Sequence, residues 1–446
     1  MGVRYHVEAG NSNINLFKIT SNYGPTENFG PRCPELVLYE SLFDSTVRAS
    51  AKFVDAGYNA SDMTAEDEEY NLTSGEKAEL KITDSYENEL DLTGDYQLRI
   101  RKHQREQFTS PKTTYVNYFT DFFSKESMEN HLVSKRATRK YDGLPHDHIK
   151  TLLTEDLGTS KVVEVDNTIV PYNFLGYSEK VFHHCVNLCN KGCPEFEGNP
   201  GILAGYLFYE VFKGTGSTGG YRYKSIDLLM KEKVKKKYIY TNTDEVPEGY
   251  DSKVINYYEN VSSNAESEIL SGATFKRELR RWDPYLKQWE QDDFDYKSQE
   301  LESNNAGKEF HKIASDLNLQ EQATRYSTRM WDASSLPNGS NWKAQKQFSK
   351  IKKGNGNYNI DELVRQSSDR FNQLFGIQIT ILIPMDLSLH VGDLIFVDFP
   401  QIDPEKKEIN KNRSGNYMIM DLGHRITPST TYTSIHLSRD STIYRK

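Results

Sequence analysis

The N-terminal part of the chain alternates apolar and polar residues with the period of two that is typical of a half-buried β-strand. In PELVLYESLFDSTVRASAKFVDAG, the small or apolar residues Val47, Ala49, Ala51 and Phe53 fall on one face. The segments GEKAELKITD and YQLRIRKH continue the pattern, and clusters of Asn, Asp, Gly and Ser separate them. These strands predict an antiparallel sheet that closes on itself or packs as a sandwich.

From about Tyr115 the pattern becomes that of a mixed α/β segment. DFFSKESMENHLVSK predicts a helix that Ser124 caps, with Ser127 to Glu129 in its first turn. PHDHIKTLLTEDL predicts a second helix, SKVVEVDN a strand, and the segment around Cys185 a third helix. We therefore expect helices and strands to mix in this part of the chain.

After Tyr240 the chain becomes strongly polar. Its clearest amphipathic stretch is IDELVRQSSDRFNQLFG, a predicted helix that ends at Gly376. Strands resume in IQITILIP, GDLIFVDFP, GNYMIMDLGHRI and TYTSIHLSRD, so the chain is β-rich at both ends. The apolar face of the predicted helix comprises Ile360, Leu363, Val364, Phe371, Leu374 and Phe375.

A glycine-rich stretch, Gly214-Thr-Gly216-Ser-Thr-Gly219, has the spacing of a dinucleotide-binding loop. Such a loop leads from a strand into a helix, whose N-terminal amides hold the phosphates. Here the strand YLFYEVF precedes the glycines, but GYRYKSI after them again alternates with a period of two. The P-loop Lys-Ser/Thr pair is also missing. We therefore predict a β-hairpin, and we expect its tip to tolerate changes of length.

The composition indicates a component of an assembly. Only 36% of the residues are hydrophobic and the mean hydropathy is −0.72, but the chain has 28 Tyr and 21 Phe, which suit half-buried sheets and interfaces. The net charge of −9 argues against a dedicated nucleic-acid-binding protein, which needs clustered cations. The basic run KEKVKKK, from Lys231 to Lys237, is expected to be a solvated strand end.

The chain shows no signal for a membrane or for secretion. No stretch approaches the roughly 20 apolar residues of a membrane span. The start MGVRYHVEAGN lacks a signal-peptide core and has His6 where a myristoylation motif needs Ser or Thr. We expect assembly in a cytoplasm, and therefore discount the glycosylation triplets at Asn59, Asn71, Asn260 and Asn338.

Three of the four cysteines lie close together, as Cys185, Cys189 and Cys193 behind His183 and His184. A spacing of four on a helix aligns thiols, so a metal site is one interpretation. The other is a helix core, because the apolar residues of this segment have the same spacing. Gly192 and Pro194 end the helix before Cys193, which favours the core and leaves metal binding open. The proposed core positions are Val181, Phe182, Cys185, Leu188 and Cys189.

Other candidate chemistry is weak. His146 and His148 are two apart, so on a helix they point to different faces, and we expect hydrogen-bonded structural histidines. Asp292, Asp293 and Asp295 lack the Gly and Glu of a calcium loop, and a solvated acidic turn is expected. No motif of a zinc protease, a serine hydrolase or a redox dithiol occurs. We therefore assign no catalytic, cofactor-binding or metal-binding residue.

The C-terminal strands carry a series of short motifs: Gly392-Asp393, Ser414-Gly415-Asn416-Tyr417, His424, Tyr432-Thr433 and Arg439-Asp440-Ser441. Their order resembles the end of the baseplate central hub proteins of contractile-tailed phages. Further parts of that family are resembled, in matching order, by Gly220, Tyr221, Tyr223 and Ser225 of the hairpin and by the segments LVLYESLFDSTVRASAKFVDA and FFSKESMENHLVSKRATRKYDGL.

The resemblance implies a mainly β fold with α+β parts, built from two related antiparallel β-barrel-like tube domains plus two peripheral α/β domains. The first tube domain would span 1–110, and the second would be split into 201–240 and 376–446. Residues 111–200 and a polar insertion, 241–375, would be peripheral. The two β-rich ends also echo each other weakly, as SGEKAELKITD with VGDLIFVDFP and DYQLRIRKH with NYMIMDLGHRI.

The resemblance also implies a non-enzymatic virion protein without a cofactor. Three chains would form a ring of pseudo-sixfold symmetry that adapts a sixfold tail tube to a threefold spike and passes DNA. The spike would be a separate chain on one face, with the tail tube or a tube initiator and baseplate wedge proteins on the other. Stable nucleic-acid binding and membrane insertion are not expected. A tail-associated cell-wall hydrolase and a carbohydrate-binding β-protein are the alternatives.

Overall fold

A computed structural model describes residues 12–55, 70–109, 114–194, 204–241, 245–259, 374–400 and 413–444, with the shorter stretches 276–283, 287–295, 307–309, 325–330, 367–368 and 370–372 and residues 316 and 410. The fold is mainly β with small helical parts, as the sequence predicts.

Eight strands form the N-terminal block of the fold. Their order in the sheet is β2–β1–β5–β7–β8–β4–β3, with β6 beside β5. The predicted alternation on β4 is confirmed, since Ala49, Ala51 and Phe53 are buried there. The strands are β1 (Asn13–Thr20), β2 (Thr26–Asn28), β3 (Glu35–Ser41), β4 (Arg48–Asp55), β5 (Lys77–Thr83), β6 (Glu89–Leu92), β7 (Leu98–Thr109) and β8 (Thr114–Ser124).

The mixed α/β segment follows directly. The first helix begins directly after Ser124, as predicted, but it is shorter than predicted because it ends at Glu129. Ser124 precedes that helix, but its hydroxyl makes no capping hydrogen bond. The second helix continues as a π-helical turn, Leu152–Leu157. The elements are α1 (Lys125–Glu129), β9 (Lys140–Tyr141), α2 (Pro145–Thr151), β10 (Val163–Val165), β11 (Phe174–Leu175) and α3 (Val181–Cys189).

The C-terminal block begins with a hairpin and is completed by the last strands of the chain. One further helix follows the hairpin, and short strands lie between. These elements are β12 (Tyr206–Gly214), β13 (Ser217–Ser225), α4 (Ile226–Leu229), β14 (Lys236–Ile239), β15 (Ser252–Lys253), β16 (Asn256–Glu259), β17 (Lys276–Asp283), β18 (Gln288–Asp295), β19 (Gly307–Glu309), β20 (Arg325–Met330), β21 (Ile377–Pro384), β22 (Leu394–Asp398), β23 (Gly415–Ile426), β24 (Thr431–Arg439) and β25 (Thr442–Tyr444).

The C-terminal sheet has the order β14–β22–β23–β24–β21–β16. Its strands pair antiparallel, as predicted, with one exception: β14 runs parallel to β22 and to β15. A separate small sheet in the polar insertion has the order β18–β17–β20. Asp292, Asp293 and Asp295 lie on β18, so the predicted acidic turn is wrong for their backbone.

The predicted amphipathic helix is described only near its end. Residues 367–368, 370–372 and 374 are helical, whereas Ile360, Leu363 and Val364 lie outside the described residues. Leu374 is buried, as predicted. Phe375 does not share that buried face: its side chain is 43% exposed and stacks on Phe43.

The two blocks repeat one arrangement of five strands. In the N-terminal block the sheet order is β5–β7–β8–β4–β3, and in the C-terminal block it is β22–β23–β24–β21–β16. The equivalent strands also follow each other in the same order along the chain, as β3–β4–β5–β7–β8 and β16–β21–β22–β23–β24. The internal echo in the sequence therefore corresponds to a structural repeat.

The repeat extends to single hydrogen bonds. Gly75 and Gly392, with φ of 91° and 87°, open β5 and β22. The Gly75 amide donates to the Ile100 carbonyl at 2.8 Å, and the Gly392 amide donates to the Ile419 carbonyl at 2.9 Å. A β-bulge follows each isoleucine, at Ile100/Lys102 in β7 and at Ile419/Asp421 in β23. A bulge at one equivalent place in two sheets indicates a common design.

The hydrophobic cores of the two blocks interlock. Leu42, which follows β3, packs in the core of the C-terminal block. In return, the N-terminal core takes in Phe212, Met385, Leu387 and Ile426 from the C-terminal block. Because each core contains side chains of the other block, neither block can move without opening both.

The glycine-rich stretch is a hairpin tip, as predicted. Strands β12 and β13 pair in one register up to Gly214 and Ser217, leaving Thr215 and Gly216 as a two-residue turn. The tip is docked on β6 of the N-terminal block. Gly214 pairs with Leu90 on β6, and the Thr215 amide donates to the Glu89 carbonyl at 2.8 Å. The tip thus joins the two blocks.

Gly214→Ala should therefore destabilise the protein. A Cβ at this position would lie 2.5 Å from the Glu89 carbonyl oxygen. Overpacking of this kind costs about 1–3 kcal/mol, so we expect a lower Tm by differential scanning fluorimetry. Gly423→Ala on β23 is the matched control, because its Cβ would meet nothing closer than Tyr39 at 3.7 Å. Equal effects of the two substitutions would contradict the docking of the hairpin tip.

Candidate assembly junction

Strand β3 joins the two blocks into one sheet. It pairs with β4 of its own block and with the second half of β23, from Ser41 opposite Asp421 to Leu36 opposite Ile426. An ion pair between Arg425 and Glu35, 2.7 Å apart, lies along this seam. The backbone hydrogen bonds of a continuous sheet therefore cross the boundary between the blocks.

Glu40 of β3 reaches into the C-terminal block and is buried there. Its Oε1 accepts from the Phe212 amide at 2.8 Å and from His390 Nδ1 at 2.9 Å, and its Oε2 accepts from the Val391 amide at 3.1 Å. Burial by itself would raise the pKa of Glu40. The His390 imidazole and the two amides outweigh burial, so this pKa is lowered and the buried carboxylate stays charged.

Glu210 of β12 makes the reverse connection and is also buried. Its Oε2 accepts from the Val47 amide at 3.0 Å and from the Ser124 hydroxyl, both in the N-terminal block. Its Oε1 accepts from the Lys161 ammonium at 2.6 Å. Ser124 thus serves this junction rather than the cap of α1 that the sequence predicts.

Lys161 ties the α/β segment to the same junction. Its buried ammonium also donates to Glu126 Oε2 at 2.7 Å, so it lies between two carboxylates. Burial alone would lower the pKa of Lys161, but Glu210 and Glu126 raise it, so Lys161 stays charged. The pKa of Glu210 is raised, because burial and the repulsion from Glu126 together outweigh the attraction of Lys161. One cation therefore holds three parts of the chain together.

Motif residues of the C-terminal resemblance lie in the polar core of that block. The Ser414 hydroxyl donates to Asp398 Oδ1 at 2.9 Å, and the Arg439 guanidinium donates to the Ser414 carbonyl at 3.0 Å while stacking over the Tyr417 ring. His424 shares a 2.9 Å hydrogen bond with Thr433. These residues hold the fold together.

A buried arginine connects the end of the insertion to this polar core. Arg370 donates from Nη1 to Asp440 Oδ2 at 2.6 Å, and its Nε lies 2.9 Å from Asp227 Oδ1. All three side chains are buried. The described end of the insertion is therefore fixed to α4 and to the chain segment after β24.

Two strand edges remain open among the described strands. From Lys102 to Thr109, β7 pairs with β8 on one side, and no described strand pairs with its other side. Strand β16 pairs with β21 alone. The equivalent edges of β23 and β3 pair with each other inside the chain. Each block therefore has one strand edge that is equivalent to a paired edge of the other block but has no partner among the described strands.

The face of the sheet away from the cores is polar and carries both signs of charge. A cavity of about 640 Å³ crosses the seam there. His436 Nδ1 lies 3.0 Å from Asp421 Oδ2, and the Ser41 hydroxyl donates to the same carboxylate. The ionisable residues that line the cavity are Glu40, Asp44, Arg48, Arg101, Asp121, Asp421 and His436.

The predicted core of α3 is confirmed, because Val181, Phe182, Cys185, Leu188 and Cys189 are all buried. Burial raises the pKa of Cys185 and Cys189, which keeps both thiols neutral. Cys193 lies in a separate apolar cluster with Ala204, and His184 Nε2 bonds the Gly176 carbonyl at 2.9 Å. The described residues contain no group of three or more His, Cys, Asp or Glu side chains placed to hold a metal ion.

The two candidate histidines on α2 have separate structural partners. His146 Nδ1 lies 2.9 Å from the Thr168 hydroxyl, and His148 Nε2 lies 2.7 Å from the Tyr172 carbonyl. Burial lowers the pKa of both rings. They are structural histidines, as the sequence predicts.

The basic run lies at the start of β14 and is mostly exposed, as predicted, although two of its lysines form ion pairs. Lys235 binds Asp393 at 2.7 Å, and Lys236 binds Asp386. These two cations therefore anchor the start of β14 to the C-terminal block. Among the described residues, no helix is long and apolar enough to cross a membrane.

Sequence comparison finds one curated relative over a short stretch. No family model matches the chain. A protein of Vibrio phage KVP40 named "Probable baseplate hub protein gp334" is 32% identical over 66 residues, which are 15% of this chain and 15% of that protein. This match confirms the resemblance to baseplate hub proteins that the motifs indicate.

Solved structures of two tail proteins are similar over nearly the whole chain, at low identity. The 43 kDa tail protein of prophage MuSo2 from Shewanella oneidensis is 8% identical, with a TM-score of 0.49 over 97% of this chain and 100% of that one. The tail protein from Neisseria meningitidis MC58 is 9% identical, with a TM-score of 0.48 over 98% and 97% of the two chains.

Glu40→Gln should weaken the junction strongly. The amide group would place a donor against the donors that now bind the carboxylate. Breaking a buried charged pair typically costs 3–5 kcal/mol, so we expect a loss of about 3 kcal/mol in the free energy of unfolding by urea titration. Glu35→Gln, at the exposed ion pair of the same strand, should cost less than about 1 kcal/mol. Similar losses in the two variants would contradict the role of Glu40.

The stability should fall between pH 6.5 and pH 4, partly through His424. Burial lowers the pKa of His424 from 6.5 to about 4. The unfolded chain therefore binds a proton in this range that the folded chain does not, and folding loses roughly 3 kcal/mol as the pH falls. His424→Gln should flatten this part of the pH profile, measured by urea unfolding. His183→Gln, at an exposed position of α3, should keep the wild-type slope, and an unchanged slope in His424→Gln would refute the assignment.

Proposed function

We propose that this chain is the structural hub of a phage tail baseplate, a homotrimeric ring that joins a sixfold tail tube to a threefold spike. The observation that carries the proposal is that β3 and β23 pair inside the chain, whereas the equivalent edges of β16 and β7 have no partner among the described strands. The match to a baseplate hub protein of a Vibrio phage and the motif order support it.

The ring follows from repeating the internal contact between chains. Inside the chain, β3 of the first block pairs with β23 of the second. The equivalents of these strands are β16 and β7, whose outer edges are open among the described strands. Pairing β16 of one chain with β7 of the next makes a head-to-tail contact, which closes into a ring when the rotation allows.

The register of this contact can be derived from the repeat. Val37 and Tyr258 are equivalent, because they face Ser50 on β4 and Thr380 on β21. Arg425 and Glu106 are equivalent, because each is the fourth residue after the one at which pairing resumes beyond the β-bulge, Asp421 in β23 and Lys102 in β7. Val37 lies opposite Arg425, so Tyr258 should lie opposite Glu106 of the neighbouring chain.

Three chains of two blocks supply six similar units to the ring. The tube domains would follow the boundaries that the sequence predicts, 1–110 and the split pair 201–240 and 376–446, but would also include β8 and β16, which belong to the two repeated sheets. The rest of 111–200 and 241–375 would lie at the periphery. Such a ring can meet a sixfold tube with all six units and a threefold spike with three copies of one surface. Pairing the open edges also removes strands that would otherwise invite aggregation.

The bore of the ring would be the polar face of the sheet. This face carries both signs of charge, since Arg48, Arg101, Asp121 and Asp421 line one cavity. The whole chain has a net charge of −9, so DNA would meet little net attraction there. The hub would pass DNA on injection without holding it, in a virion assembled in the host cytoplasm, with tail tube or tube-initiator and wedge proteins opposite the spike.

The role needs no enzymatic activity. The buried ionisable groups of the junction bind each other and the backbone, and the proposal assigns no catalytic residue to them. A cell-wall hydrolase remains the alternative of a different class. Clearing of a peptidoglycan suspension by the purified chain would favour it.

Engineered disulfides test the proposed ring. In a Cys33→Ser background, Tyr258→Cys with Glu106→Cys should give covalent trimers on mild oxidation, seen on non-reducing gels. Val37→Cys with Arg425→Cys is the positive control and should give an intrachain disulfide, because these residues face each other in the chain.

A shifted pair provides the matched negative control. Tyr258→Cys with Gln107→Cys differs by one residue, and that slip turns one thiol to the other face of the sheet. It should cross-link poorly. Equal cross-linking of the shifted pair, or products limited to monomers, would contradict the proposed contact.

A further inference from the structure

The α/β segment presents an apolar tip on a turn of unusual backbone geometry. Tyr177 and Ser178 both have positive φ, 48° and 60°. They are the central residues of a turn closed by the Glu179 amide, which donates to the Gly176 carbonyl at 2.9 Å. Turns of this type favour Asn and Gly, and a bulky residue at φ > 0 is strained. The chain holds a tyrosine where folding alone would favour a smaller residue.

The surrounding structure clamps this turn. The Ser178 amide donates to the Ala137 carbonyl at 2.9 Å, and the Gly176 amide donates to the Arg139 carbonyl at 3.0 Å. A Cβ on Gly176 would lie 2.3 Å from the Ala137 oxygen, so the two segments are in direct contact. The backbone of the turn is therefore fixed, so the Cα of Tyr177 is held in place before any partner binds.

The clamped turn adjoins a second exposed apolar segment. Val133 is 83% exposed and Tyr177 is 77% exposed, the two highest values among large apolar side chains of the described residues. Leu132 is 51% exposed beside Val133. His131 Nδ1 lies 3.1 Å from the Lys180 ammonium, which places the two segments side by side. We call the exposed residues Tyr177, Leu132 and Val133 of these two neighbouring segments the apolar tip.

The charge around this tip is opposite to that of the whole chain. Residues 131–136 and 177–180 carry Lys135, Arg136 and Lys180 against one acid, Glu179, whereas the net charge of the chain is −9. A cationic rim around an apolar centre matches an anionic rim around an apolar pocket. Tyrosine is also a common anchor at the centre of protein interfaces.

We propose that Tyr177, Leu132 and Val133 form a docking tip for a different protein of the particle, one with an acidic surface around an apolar pocket. A preformed tip suits a preformed pocket, because the cost of ordering the turn is not left to the moment of binding. The inference rests on the proposed hub role, since it places the partner in the same virion. It adds the surface by which the peripheral segment is held.

Hydroxyl-radical footprinting compares the tip in three states: the purified monomer, the purified ring and the intact virion. Tyr177 and Val133 should be oxidised in both purified forms and protected in the virion. Protection that already appears in the ring would mean contact between copies of this chain and would overturn the proposal. Equal oxidation in all three states would also overturn it.

Two variants separate docking from folding. Tyr177→Asn and Ser178→Gly both suit a turn with positive φ, so each should raise Tm by about 2 °C. Only Tyr177→Asn removes the anchor, and its incorporation into virions should fall at least about tenfold. Ser178→Gly should be incorporated like the wild type. Normal incorporation of Tyr177→Asn would refute the proposal.

Two further outcomes have distinct meanings. Binding of the wild type, but not of Tyr177→Asn, to vesicles containing phosphatidylglycerol would assign the tip to a membrane and overturn the proposal. Absence of the wild-type chain from virions, tested by immunoblotting, would refute the hub role and the docking tip with it. If the chain is present in virions but Tyr177 is not protected there, the docking role of the tip is refuted and the hub role is unaffected.

Discussion

Two buried glutamates cross the boundary between the sheet blocks in opposite directions, and the rest of the architecture depends on them. Glu40 carries a negative charge from the first block to two backbone amides and His390 of the second. Glu210 returns from the second block to Val47, Ser124 and Lys161. Removing either carboxylate would leave buried donors without acceptors, so the blocks are held in one relative position.

This fixed position explains why a repeated block can be useful. If the angle between the blocks varied, the open edges of β7 and β16 would not meet their partners at a constant angle, and a closed ring would not form. Buried ion pairs are a poor source of net stability, because desolvation offsets much of the attraction. Their value here is geometric. The interlocked cores supply the apolar contribution, and the charges specify the orientation.

The sequence predicts the strands and the repeat better than it predicts the contacts between blocks. Period-two alternation identified β4, and the glycine turns at Gly75 and Gly392 marked equivalent strands, because both signals are local. The junction was missed because its partners, such as Glu40 and His390, are far apart in the chain. One signal was present: Glu40 follows Leu36 and Leu38 on the apolar face of β3, where a charge needs a buried partner. Glu210 occupies the same place in Phe-Tyr-Glu-Val as Glu40 in Leu-Tyr-Glu-Ser.

Other errors have the same physical origin. Ser124 has the local pattern of a helix cap, but a distant carboxylate competes for its hydroxyl. The glycine-rich tip has the composition of a free loop, but β6 supplies backbone partners for it. In each case, tertiary partners decide a feature whose local sequence is compatible with several outcomes.

The central claim is that one chain supplies two equivalent units to a closed ring of three chains. Electron cryomicroscopy of the purified protein, alone and with its spike, tests this most directly. The account predicts a ring with threefold symmetry, six similar wall units and a continuous strand order that passes from β16 of one chain to β7 of the next. A particle of two or six whole chains, or a threefold ring in which these two edges do not meet, would contradict it.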